Sequence, residues 1–149
     1  MIQRIQTVFL FLAAGLLGSQ FFLPYLQTPE GDPARALPVL ADGMLNPLDN
    51  PGILGLTALG AIVSLAAIFL FKNRSLQTRL TLTAFGVGIM LLVLTGFTTK
   101  TTLDQVPEGG SAQFALGLAL PVLAVVLNWL AARAIRKDES LVRSMNRLR

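Results

Sequence analysis

Four stretches of the chain, 7–26, 52–71, 80–99 and 114–132, contain no Asp, Glu, Lys, Arg or His, and the polar residues gather between them. Each is about twenty residues, the length an α-helix rising 1.5 Å per residue needs to cross roughly 30 Å of hydrocarbon. The pattern predicts an all-α protein, an integral membrane four-helix bundle forming one domain over 1–149. Spans two and three are joined only by the basic segment 72–79, with Lys72, Arg74 and Arg79. A connection this short makes them antiparallel neighbours, and the positive-inside bias puts it in the cytoplasm.

The flanking segments follow from that orientation. A cleavable signal is the alternative for the first run, but its apolar character continues through residues 21–26, beyond an ordinary signal core, so a first span is expected. Tyr25 at its outer end and Trp129 near the inner end of span four suit interfacial aromatic anchors. The long outer loop 27–50 holds Pro29, Pro33, Pro38 and Pro47 and the acids Glu30, Asp32, Asp42 and Asp49. Repeated proline rules out a long helix there; its apolar centre, 36–40 with Met44 and Leu45, suits a loop that hugs the bilayer surface or caps the bundle, with contact to a partner as its second use. Pro121 should kink span four.

Charge supports the same topology. The proposed inside holds Arg4, Lys72, Arg74, Arg79, Arg133, Arg136, Lys137, Arg143, Arg147 and Arg149, whereas the outside holds Arg35 and Lys100. Both termini are therefore expected in the cytoplasm. In the tail 133–149, apolar residues recur at helical spacing and Arg136, Lys137, Arg143 and Arg147 supply the charge, predicting a basic amphipathic helix. Such a helix would bind anionic lipid of the cytoplasmic leaflet or a partner protein.

Composition narrows the chemistry. With 53% hydrophobic and 13% charged residues and a mean hydropathy of +0.64, the chain is far more apolar than soluble proteins, about a quarter of whose residues are charged. Cys and His are absent, which removes disulfides, thiolate chemistry, haem His ligands and the usual zinc sites. The spans also lack the ionisable residues that mark proton and ion pathways. The outer acids lack calcium-loop spacing. No enzyme activity, cofactor, metal or nucleic-acid partner is expected.

Uncharged polar residues remain in the spans. Counting depth along each helix puts Gln20 and Thr95 at an outer level and Asn128 and Thr83 at an inner one, predicting interhelical contacts within each level. Thr57, Ser64 and Thr81 are further polar positions. Small residues four apart, including Gly15 with Ser19, Gly60 with Ser64 and Ala84 with Gly88, favour close packing within the bundle.

The opening MIQRIQ at 1–6 and the closing AIRKDESLVRSMNRLR at 134–149 resemble an uncharacterised family of small bacterial four-helix membrane proteins, domain of unknown function 4293. That resemblance covers essentially the whole length. It implies a bacterial inner-membrane protein with both ends inside, and it brings no site residues. The residues themselves leave two functions open: a non-enzymatic accessory or scaffold subunit of a larger membrane complex, or a small channel, facilitator or transporter for a neutral or lipid-like solute. A membrane-protein partner or a homo-oligomer is expected in either case.

Overall fold

A computed structural model describes residues 2–71 and 73–146, with side chains for 5–71, 73–138 and 140. Lys72 and Arg147 lie outside the described residues, as do the side chains of Arg4 and Arg143. Four helices dominate: α1 (Ile2–Ser19), α2 (Pro51–Phe69), α3 (Arg74–Asp104) and α4 (Ala119–Asn146). Each packs against the next and α4 closes back onto α1, giving an up-down-up-down ring. The start of α1, the end of α4 and the α2–α3 turn lie at one end. Everything else caps the other.

The inward faces repeat in alternating steps of three and four. On α2 these are Ile53, Thr57, Gly60, Ser64 and Ala67; on α3 they include Gln77, Thr81, Ala84, Gly88, Leu91 and Thr95. On α4 they are Ala124, Asn128, Ala131 and Ile135. This 3.5-residue seam is the one that keeps neighbouring helices in register in left-handed bundles. Small residues let the backbones close: Gly88 is buried, and a Cβ there would meet Val125 Cγ2 at 2.7 Å. Gly15, by contrast, faces open space. The outward faces carry large apolar side chains such as Phe11, Ile62, Met90, Val93 and Phe97.

Three helical segments are long and apolar enough to cross a membrane, Pro51–Phe69, Arg74–Asp104 and Leu116–Asp138. The apolar part of α1 is shorter, Ile5–Ser19. The first predicted span therefore ends early. Pro24 has no N–H to donate and disfavours helix at the residue before it, and the chain leaves α1 at Ser19 to form a strand. That strand, β1 (Leu26–Gln27), is the centre of a small antiparallel sheet with β2 (Met44–Leu45) and β3 (Gln113–Phe114) on either side.

Segment 27–50 is a folded cap on the bundle, one of the two places its apolar centre suits. Its prolines start 3₁₀ turns at Pro33, Pro38 and Pro47, and Pro51 takes the first position of α2, where a missing N–H costs nothing. Leu26, Ala34, Leu40 and Leu45 of the cap are buried in one apolar cluster with Leu17, Ile53, Leu91 and Ala124 of the bundle. The basic connection also differs from expectation: Asn73 caps a helix beginning at Arg74, so most of 72–79 is the first turns of α3. Pro121 is the third residue of α4, preceded by a 3₁₀ turn over Leu116–Leu118. Proline in a first helical turn lacks an N–H that has no intrahelical partner there, so it begins the span rather than kinking it.

Candidate functional site

Polar side chains occupy three levels of the bundle interior. Nearest the cap, Tyr25, the residue before β1, is buried in the bundle, and its hydroxyl donates to Gln20 Oε1 at 2.8 Å. Thr57 of α2 and Thr95 of α3 lie beside the phenol. All four are buried to within 1% exposure. Among the described residues Gln20 Nε2 has no hydrogen-bond partner, so the cluster holds a spare donor in an apolar setting, where such a group is costly.

Midway along the bundle, Ser64 Oγ donates to Asn128 Oδ1 across α2 and α4 at 3.2 Å, leaving Asn128 Nδ2 unpaired. At the end bearing the α2–α3 turn, Gln77 Nε2 donates to the Ala67 carbonyl at 3.1 Å, and Arg74 pairs with Asp138 at 3.2 Å. Gln6, Gln77, Arg74 and Asp138 help line a cavity of about 10 Å³, roughly the room of one water. Apolar layers separate the levels, with Leu10, Ala67 and Ala131 forming one of them.

The cap supplies the most extensive built surface. Pro24 and Tyr25 carbonyls accept from Gly117 and Ala115 at 3.0 and 2.9 Å, joining the exit of α1 to the start of α4. A Cβ at Gly117 would collide with the Leu23 and Pro24 carbonyl oxygens, so only glycine permits the approach. The Asp32 carboxylate accepts from Ala34 N at 2.8 Å, Ser111 N at 3.0 Å and Ser111 Oγ at 2.7 Å. These bonds, the Ala34 amide foremost, hold its pKa below the ordinary aspartate value. Asp49 is pushed the other way, chiefly by burial, although it accepts from Asn46 N.

Around this knot, Leu23, Pro24, Phe114, Leu116, Leu118 and Val122 border a groove of about 640 Å³. Phe22 is 85%, Leu116 77% and Phe114 67% exposed. Apolar groups therefore crowd the junction between cap and helices.

The polar residues singled out from sequence are partly brought together. Gln20 and Thr95 meet around Tyr25. Asn128 is buried, but its partner is Ser64 rather than Thr83. Thr83 is exposed and turns its hydroxyl to the Arg79 carbonyl of its own helix at 3.1 Å, because it lies off the three-four seam of α3. Tyr25 is a core residue, not an interfacial anchor. Arg136 and Lys137 are exposed on α4. Depth counting could not supply Tyr25, Gln77 or Gln6; Gln77 and Gln6 fall on the three-four seams of their helices, whereas Tyr25 lies outside any helix. Among the described residues, no three of His, Cys, Asp and Glu gather to hold a metal.

The chain matches the family described as Domain of unknown function (DUF4293) over residues 2–148, and it belongs to that family. No curated protein and no solved structure matches it.

Proposed function

We propose that this family member is a non-enzymatic subunit of a larger membrane assembly, which docks a partner protein at the junction of cap and bundle. The supporting observation is the cap itself. Segments 20–50 and 106–118 are tied into one rigid body by the β2-β1-β3 sheet and the Asp32–Ser111 bonds, yet Phe22, Phe114 and Leu116 remain outside it. Rigid elements edged by unsatisfied apolar area are what partner recognition uses. Orientation follows from the charges: Arg74, Arg79, Arg133 and Arg136 belong to the end with the α2–α3 turn, assigned here to the cytoplasm of a bacterial cell.

A second function has one observation in its favour. The three buried polar levels form an axial series with spare hydrogen-bond donors, which would suit a facilitator for a small neutral solute. The intervening apolar layers and close packing count against it.

Site-specific photocrosslinking in cells separates these. A crosslinker at Phe22 or Leu116 should capture one protein species, and the same group at Val93, exposed on α3, should capture none. Equal capture at all three positions, or none anywhere, contradicts the docking assignment.

A further inference from the structure

On the flank between α3 and α4, Leu82, Phe85, Trp129, Ala132, Arg133 and Arg136 line a cleft of about 440 Å³. Its chemistry is divided along its length. Leu82, Phe85 and Trp129 give an apolar wall, while Arg133 and Arg136, one and two turns further along α4, are exposed and bring guanidiniums to the end nearer the α2–α3 turn. The Arg133 guanidinium lies 5.6 Å from the Trp129 ring centroid, within cation–π range, which fixes it over the wall. Among the described residues no carboxylate lines the cleft, and Asp138, further along the helix, is engaged by Arg74.

Two cations at the mouth of an apolar slot complement one kind of molecule: a phosphate carrying hydrocarbon chains. We infer that this cleft binds an anionic glycerophospholipid, with Arg133 and Arg136 on the phosphate and acyl chain along Leu82, Phe85 and Trp129. Arginine suits the role because its planar fork meets two phosphate oxygens at once. The site is independent of the partner surface at the cap.

Trp129 is the single tryptophan of the chain, so it reports on this cleft alone. The full-length protein would be placed in phosphatidylcholine bilayers containing a small fraction of brominated phosphatidylglycerol or brominated phosphatidylcholine, and Trp129 quenching measured. Two arginines near a membrane surface correspond to ~30-fold preference for the anionic lipid. Quenching by brominated phosphatidylglycerol should therefore begin at far lower mole fraction. The double variant Arg133→Gln/Arg136→Gln should lose that preference while quenching by brominated phosphatidylcholine stays unchanged, which also reports an intact fold. Equal quenching by the two lipids in the wild type overturns the inference, with or without a foldable variant. So does a preference that survives in the variant, since the tail would then be its source. Excess inorganic phosphate should leave the preference standing; if it abolishes it, the site takes free phosphate and the lipid assignment fails.

Discussion

Tyr25 donates its phenolic hydrogen to Gln20 at 2.8 Å inside the bundle, both side chains fully buried. They are five residues apart, and neither belongs to a helix. The bond bends the segment leaving α1 back over the interior, so the cap's central strand begins from a fixed point. Core and cap are thereby one structure.

Removing the hydroxyl with Tyr25→Phe leaves Gln20 Oε1 buried and unpaired. The expected loss is about 1–3 kcal/mol, and adding Gln20→Leu should restore part of it because neither partner then remains. Denaturant titration in detergent micelles, followed by circular dichroism, measures both. A double variant no more stable than Tyr25→Phe would contradict the pairing.

Ser64 and Asn128 connect α2 to α4. In membrane helices such bonds contribute about 0.6–2 kcal/mol, so a double-mutant cycle with Ser64→Ala and Asn128→Ala should give coupling in that range. The same cycle between Thr83 and Asn128 should give none.

Asp32 makes the cap sensitive to acid. Its folded pKa is lower than the ordinary 3.8, so the stabilisation by its carboxylate is fully present above that value and is lost as pH falls through the lowered one. Asp49 acts in the opposite sense: its pKa is raised, so its contribution favours the protonated form and is lost as pH rises through the raised value. Hydrogen exchange at residues 109–112 should accelerate as pH falls below 3.8, after correction for intrinsic exchange. Asp32→Asn should remove that dependence and Asp49→Asn should not.

Gly117→Ala places a methyl against two carbonyl oxygens and should lower thermal stability clearly. Gly15→Ala meets nothing within 4 Å and sits in a helix, where alanine is favoured by roughly 0.5–1 kcal/mol. The two alanines should shift the melting temperature in opposite directions.

Much of the fold was legible in the runs without charge, since a polar backbone in an apolar chain leaves few choices but helices. The bounds were less so. Residues 20–26 are as apolar as the helix before them, but Pro24 and the pull of Tyr25 toward Gln20 turn them into strand and turn. Similarly, Arg74 and Arg79 look like connection by charge and are helix because Asn73 caps them. Depth alone paired Asn128 with Thr83; the three-four seam, which passes through Thr81, Ala84 and Gly88, would have excluded Thr83. The sheet could not be foreseen, as its strands are two residues each and their partners lie far apart in sequence.

The docking assignment is tested most directly by the mass of the intact particle extracted from native membranes in mild detergent. The account predicts the 16.0 kDa chain in a larger particle with a stoichiometric second protein, released by the triple variant Phe22→Ser/Phe114→Ser/Leu116→Ser while the chain itself stays folded. A particle made only of this chain, passing a neutral solute in liposomes, would contradict it.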